Sequence, residues 1–371
     1  MGDMGDTFRH PHMKRFANLF NSVNLVSGKS LLQTVSTLPV AEPVKPTPMK
    51  LRIFADIAAS EEAMELLKSE VSDHELLLPE NRTTSVLAQA EPDPQMLTAD
   101  VIFGQPHPDF VSRAESLRWI QISSAGFTRY DTPEFRELVR GRNILVSNSS
   151  SVYDEACAVH TLSFMLAQAR NLPESVGARM PHGTESWNRL RYDVGLLRGE
   201  SAVIVGYGAI GQYLVKLLVP FEMRLTGYRR KERGDEEIPI IGLDQLDEVL
   251  SDADHIINTL PDSPQTRHFF NEERLNSTRK GAIFYNVGRG TTVDQDALQH
   301  ALESGQLGAA WLDVTDPEPL PDGHPLLDIP NCFITPHTAG GHRGEDLTLV
   351  SHFLNNLKRF TGDRELQNRI M

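Results

Sequence analysis

Ala202-Val-Ile-Val-Gly206-Tyr-Gly208-Ala-Ile-Gly211-Gln-Tyr-Leu-Val215 is the stretch on which the fold turns: an apolar run, three glycines, then a helical pattern. The run reads as a strand buried on both faces, and the glycines as the turn into a helix. The first glycine permits a tight turn, and the second lets a pyrophosphate approach the backbone. The third lets helix and strand pack closely, with the helix N-terminus facing the anion. The local expectation is a dinucleotide-binding unit, with Gly206, Gly208, Ala209, Ile210 and Gly211 against the cofactor.

Outward from this motif the chain alternates short apolar runs with helical stretches. Before it come Leu51-Arg-Ile-Phe-Ala, a helix around 61–70, Val101-Ile-Phe, Trp119-Ile-Gln-Ile, Ile144-Leu-Val and a long helix at about 154–170. After it come Arg224-Leu-Thr, Ile256-Ile-Asn-Thr, Ala282-Ile-Phe-Tyr, Trp311-Leu-Asp-Val and Phe333-Ile-Thr, with a terminal helix over 344–361. Such alternation indicates α/β architecture with two doubly wound parallel sheets.

Residues 1–48 differ. They carry Arg9, Lys14, Arg15, Lys29 and Lys45 against Asp3, Asp6 and Glu42, and end in a proline-rich stretch. They are expected to form a disordered extension, and Met49 is an alternative start. Gly28-Lys29-Ser30 only imitates a phosphate loop, because Val23 stands where its first glycine is required.

The whole chain has 371 residues and a formal net charge of -14. That gives no electrostatic support for a nucleic-acid surface or an anionic-membrane patch, so the expected partner is a small molecule. No apolar run is long enough to cross a bilayer. Two cysteines, Cys157 and Cys332, suit a reducing compartment, and a cytoplasmic location is expected.

In dinucleotide folds the residue ending the second strand meets the adenosine ribose, an acid favouring the 2′-hydroxyl and an arginine a 2′-phosphate. Here Tyr228-Arg229-Arg230-Lys231 follows, so NADP is expected over NAD, although Glu232 is an alternative ribose partner.

Three later segments each follow a strand: Tyr285-Asn-Val-Gly-Arg289-Gly290, Leu312-Asp313-Val-Thr-Asp-Pro-Glu318-Pro319, and Ile334-Thr-Pro-His337. Strand ends of open parallel sheets converge on one crevice, so an arginine, a carboxylate and an imidazole can meet there. The arginine can hold a carboxylate bidentately and the histidine can supply a proton, oriented by the acid. Taken singly each has a structural explanation as a cap, a turn residue or a packed histidine. No metal site is expected, since His337 and His342 lack the His-Glu-x-x-His context. No Gly-x-Ser-x-Gly occurs, which leaves a hydrolase unsupported.

The order of Gly206-Tyr-Gly-Ala-Ile-Gly211, Leu260-Pro-Asp-Ser-Pro-Gln-Thr266-Arg, Asn286-Val-Gly-Arg-Gly290, Asp313-Val, Glu318-Pro319 and Pro336-His337 resembles the D-isomer-specific 2-hydroxyacid dehydrogenases across residues 49–371. The resemblance implies a Rossmann cofactor domain, 151–337, inserted into a smaller flavodoxin-like substrate domain, 49–150 plus 338–371. A hinge would lie near 149–153 and 337–341. The implied reaction interconverts a small 2-oxo acid and its D-2-hydroxy acid. Arg289 would bind substrate, His337 would be the acid/base, and Glu318 would hydrogen-bond His337. Asp313 would hold the nicotinamide carboxamide, and Leu260, Pro261 and Thr266 would line the cofactor site. Gly104, Gln105, Ser124, Ala125 and Gly126 would line the substrate site.

Ala158-Val159-His160 departs from the family's Ala-Glu-His on a helix often used in dimer packing. A homodimer is nonetheless expected, with His160 as a packing residue. The alternative is a dinucleotide-sensing, corepressor-like binding protein on the same scaffold. A formate dehydrogenase fits less well, since glutamine would replace Glu318.

Overall fold

The computed structural model describes residues 50–371 except 84, 86, 87, 89, 90 and 235. The expectations for residues 1–48, Gly28-Lys29-Ser30 and Met49 fall outside these.

The chain runs β1 (Arg52–Ala55), α1 (Glu61–Glu70), β2 (Glu75–Leu77), β3 (Val101–Gly104), α2 (Pro108–Arg113), β4 (Trp119–Ile122), α3 (Pro133–Gly141) and β5 (Leu145–Ser147). These five strands form one all-parallel sheet in the order β2-β1-β3-β4-β5. That order is the flavodoxin-like one. Next come α4 (Ser150–Ala169), α5 (Leu172–Ser175), α6 (Glu185–Tyr192), β6 (Ser201–Val205), α7 (Ala209–Leu218), β7 (Arg224–Tyr228), β8 (Ile240–Ile241), α8 (Leu243–Leu250) and β9 (His255–Asn258). The chain closes with α9 (Glu272–Ser277), β10 (Ala282–Asn286), α10 (Gln295–Glu303), β11 (Leu307–Leu312), β12 (Cys332–Ile334) and α11 (Glu345–Thr361). The second sheet is also parallel, in the order β12-β11-β10-β9-β6-β7-β8. Reversal beside its first strand, β6, is the doubly wound dinucleotide-binding arrangement. Both sheets therefore match the fold class read from the sequence.

The strands are apolar without alternation because helices cover both faces. Every residue of β3, β4 and β9 is buried. Helix starts follow the side chains: the hydroxyl of Ser60 accepts from Ala63 N–H to open α1, and Thr132 does the same for Phe135 before Pro133 of α3.

The C-terminal helix α11 packs on the first sheet, far away in sequence. Phe353 stacks on Phe103 at a centroid distance of 4.3 Å and on Trp119 at 5.3 Å. Full burial of such a ring contributes roughly 1.5–3 kcal/mol. A satisfied polar network fixes the register of this docking: Asn356 Nδ2 donates to Gln121 Oε1 (2.9 Å), and Gln121 Nε2 donates to the Asn148 carbonyl (2.8 Å). Helix α4 leaves this sheet and packs against α7 of the second, so it bridges the two. Among the described residues no helix is long and apolar enough to cross a membrane.

Candidate active site

β6 delivers the chain to Gly206, whose φ of +99° favours glycine. A Cβ there would lie 2.9 Å from both Leu260 N and Thr259 C, so the exit of β9 crosses directly against the turn. Gly211 serves the packing role read from the sequence, since a Cβ would stand 3.0 Å from Ile204 Cγ2 and 3.1 Å from Tyr207 Cδ2. Gly208 is the N-cap of α7 and offers no side-chain cap. The first N–H groups of α7, at Ala209, Ile210 and Gly211, are therefore left for an anion. Glycine turn, close helix and uncapped N-terminus together fit a dinucleotide pyrophosphate.

Leu260 is buried, and its N–H donates to Asn258 Oδ1 (3.1 Å). Pro261 and Thr266 belong to one loop, closed by Thr266 Oγ1 donating to the Pro261 carbonyl (2.6 Å). Arg229 follows β7 as expected, but its guanidinium is engaged: Nη1 donates to Glu236 Oε1 at 2.9 Å. Arg230 is exposed, and no ion pair among the described residues includes it.

On the other side, Arg289 follows β10. Its Nη1 donates to the Gly288 carbonyl (2.6 Å), and its Nη2 lies 2.3 Å from where a Cβ on Gly126 would be. The arginine of the second sheet thus rests on the backbone of the loop that follows β4 in the first. That loop is internally braced: Gln105 Nε2 donates to Ser124 Oγ (2.7 Å), and Ser124 Oγ donates to the Gly126 carbonyl (2.7 Å). Ala125 is tied down by Asn148 Nδ2 donating to its carbonyl (2.6 Å). Gly104 ends β3 beside Gln105, where a Cβ would be 2.5 Å from the Asp56 carbonyl oxygen.

His337 adopts φ +52° just past β12, and its Nδ1 lies 2.5 Å from Glu318 Oε1. Asp313, 2% exposed, anchors the loop that carries it. Asp313 Oδ1 accepts from Thr335 Oγ1 (2.6 Å) and Thr338 N–H (2.8 Å), while Oδ2 accepts from Ala339 N–H (2.9 Å). The Asp313 carbonyl accepts from His337 N–H (2.9 Å), and Asp313 N–H donates to the Asn286 carbonyl (2.9 Å). Asn286 Nδ2 in turn donates to the Arg289 carbonyl (3.2 Å). A continuous chain of bonds therefore links Arg289 to the His337 loop, although no direct hydrogen bond or ion pair joins the two side chains among the described residues. Gly290 locks the same corner, since a Cβ would fall 2.0 Å from Thr315 C.

Three residues enter in ways the sequence does not announce. His160 on α4 packs its ring edge-on to Phe164 at 4.4 Å, as expected of a packing residue, but its Nε2 also stands 3.3 Å from Thr335 Oγ1 and 3.8 Å from Asp313 Oδ1. Burial lowers its pKa, and the Asp313 charge opposes that shift. Cys157, also on α4, has its thiol pushed up to about 12, first by burial and then by Asp313, with Arg289 acting the other way. Tyr153 crosses the expected hinge: its hydroxyl donates to the Ser123 carbonyl (2.8 Å), and its ring meets the space above Gly340. Burial raises its pKa, with the Glu345 carboxylate adding to the effect.

This is a two-sheet α/β oxidoreductase scaffold with a dinucleotide turn on one side and an Arg/Glu/His corner on the other. The family model described as D-isomer specific 2-hydroxyacid dehydrogenase, NAD binding domain, matches residues 162–339. A glyoxylate reductase from Thermofilum pendens is 33% identical over 234 residues, 62% of this chain and 68% of that protein. The glyoxylate reductase/hydroxypyruvate reductase of Mus musculus is 34% identical over 248 residues, 65% of this chain and 73% of that protein. Among solved structures, a Thermus thermophilus protein is 30% identical with a TM-score of 0.68, covering 86% of this chain and 100% of that one. The apo D-mandelate dehydrogenase of Rhodotorula graminis, at 21% identity, shares the fold with a TM-score of 0.72 over 87% of this chain and 98% of that one. The chain belongs to the D-isomer specific 2-hydroxyacid dehydrogenase family. It is an oxidoreductase of that type, with a domain for a nicotinamide dinucleotide.

Proposed function

We propose that the protein reduces a small 2-oxo acid to its D-2-hydroxy acid, with NADP preferred over NAD. The observation that carries this reading is the 2.5 Å contact between His337 Nδ1 and Glu318 Oε1 on a loop anchored by Asp313. A carboxylate at Nδ1 fixes the tautomer and orientation of the ring, leaving Nε2–H to face substrate.

A reduced nicotinamide held in this domain would supply the hydride for the keto carbon. His337 passes its Nε2 proton to the carbonyl oxygen and ends neutral. Arg289 holds the substrate carboxylate and polarises the carbonyl, helped by the N–H groups of Ser124, Ala125 and Gly126, with Gly104 and Gln105 beside them. Gly206, Gly208, Ala209, Ile210 and Gly211 would hold the pyrophosphate, Leu260, Pro261 and Thr266 would line the cofactor, and Asp313 would accept from its carboxamide. Arg229 and Arg230, which follow the second strand of this sheet, would meet a 2′-phosphate on the ribose, and this supports NADP. Glyoxylate and hydroxypyruvate, named in the relatives, are the first substrates to test. Residues 49–150 with 338–371 form the substrate domain and 151–337 the cofactor domain. The protein works in the cytoplasm, consistent with free thiols at Cys157 and Cys332, and pairs as a homodimer through α4 and the segment after it. Val159, Val176, Tyr192 and Leu196 are exposed there.

The test is NADPH and NADH oxidation against a panel of 2-oxo acids, with product chirality determined. His337→Ala is expected to lower kcat by about 10²–10⁴-fold while NADPH binding persists. Parent-like turnover in that variant would overturn the assignment.

A further inference from the structure

The turn that follows β7 holds a feature that the cofactor reading does not use. Glu236 folds back over the start of its own loop. Its Oε1 accepts from Arg229 Nη1 (2.9 Å) and Arg233 N–H (2.8 Å), and its Oε2 accepts from Gly234 N–H (2.8 Å). Both side chains are sheltered, Arg229 at 13% and Glu236 at 3% exposure. One guanidinium and two convergent backbone N–H groups are the donor set that binds a phosphate, and here an internal carboxylate fills it. These bonds, led by the one from Arg233 N–H, hold the Glu236 carboxyl below its ordinary range, so the group is charged at neutral pH.

A second observation meets the first. Tyr207, within the glycine turn, is 1% exposed, and its hydroxyl has no hydrogen-bond partner among the described residues. Burial raises its pKa, and the charges of Glu237, Glu236 and Arg229 all act on it, so the phenol faces this loop.

We propose that Glu236 is a built-in competitor for the 2′-phosphate of the dinucleotide, and that this carboxylate, together with Arg229, sets the balance between NADP and NAD. The inference rests on the reading that Arg229 faces the adenosine ribose. A 2′-phosphate reaching Arg229 has to displace or repel a fixed negative charge on the same guanidinium, whereas a 2′-hydroxyl does not. Glu236 therefore holds down the NADP preference that Arg229 and Arg230 would otherwise give.

The experiment uses the full chain as parent, E236Q, E236A, R229A and the E236Q/R229A double variant. Calorimetry gives dissociation constants for adenosine 2′,5′-bisphosphate and for adenosine 5′-monophosphate, and nicotinamide fluorescence gives those for NADPH and NADH. Removing the charge at 236 is expected to raise the relative affinity for the 2′-phosphorylated ligand by about tenfold or more, and R229A is expected to abolish that gain. Adenosine 5′-monophosphate binding reports that each variant keeps a folded site, and E236A repeats the test without a hydrogen-bonding side chain. Ratios that stay within about twofold in E236Q and E236A, while R229A still weakens the bisphosphate, overturn the competitor role and leave the NADP reading standing. If R229A changes nothing in either background, the placement of Arg229 at the ribose is wrong, and the inference falls with it.

Discussion

Gly126→Ala is the most informative small change the structure offers. The added methyl carbon would stand 2.3 Å from Arg289 Nη2, 3.3 Å from Cζ and 3.5 Å from Nε. Ordinary carbon contacts begin near 3.5 Å, so the guanidinium has to retreat by about 1.2 Å. The displaced group is the far end of a long side chain, so the fold gives way cheaply. The principal loss is the Arg289 bond to the Gly288 carbonyl, about 1 kcal/mol. If Arg289 positions the substrate as proposed, the same shift is severe for chemistry, because a misplacement of about 1 Å at a positioning group can cost about 10²-fold, or roughly 2.7 kcal/mol in the transition state. Steady-state kinetics with the best 2-oxo acid should show kcat/KM falling by that order. NADPH affinity and the melting temperature should hold nearly constant. A G126A enzyme within about twofold of parent kcat/KM would refute the placement of Arg289 against the substrate loop.

Two further outcomes follow from packing and from titration. Gly290→Ala would drive a carbon to 2.0 Å from Thr315 C and O, backbone atoms that cannot step aside, so the urea midpoint should fall by the equivalent of about 3 kcal/mol or more; an unchanged midpoint would contradict the close approach of those loops. His352 has its pKa lowered, chiefly by burial and against the bond to the Asn148 carbonyl, so the unfolded chain takes up a proton before the folded one does. Its contribution is complete above the ordinary value of 6.5 and is lost as pH falls through the depressed folded value; His160, lowered by burial, and His74, lowered likewise, act with the same sign. His352→Gln should therefore flatten the decline of the urea midpoint between about pH 6.5 and 5, and an identical slope in both proteins would count against the assignment.

Much of the scaffold is readable because a strand buried on both faces needs an uninterrupted apolar run, and ten such runs stand out. β2 and β8 leave no such signal: Glu75-Leu-Leu and Ile240-Ile241 are edge strands of three and two residues, too short for any periodicity. β11 is expected over Trp311–Val314 but spans Leu307–Leu312, because Gly308-Ala-Ala carries little apolar signal and Asp313 already belongs to the loop. Helix α4 begins at Ser150, four residues before the expected start near Asp154, where polar serines hide the first turn. At the site, the His337–Glu318 partnership is legible from residue type and strand-end position. The anchoring of the His337 loop by Asp313 is not, because its donors include the backbone N–H groups of Thr338 and Ala339, which leave no mark in a sequence. Glu236 is equally hidden. The acid that meets Arg229 comes from seven residues along a folded-back loop, and only its place in that loop distinguishes it from Glu232 and Glu237.

The φ of +52° at His337 has one more consequence. A side chain with a Cβ in that left-handed region carries a penalty of roughly 1–2 kcal/mol that glycine would escape. On the proposed reading of His337 as the acid/base, folding and catalysis favour different residues at this position. The imidazole sits against the backbone's own preference, the Asp313 anchoring bonds offset that resistance, and on the same reading the tautness of the corner would serve turnover rather than durability.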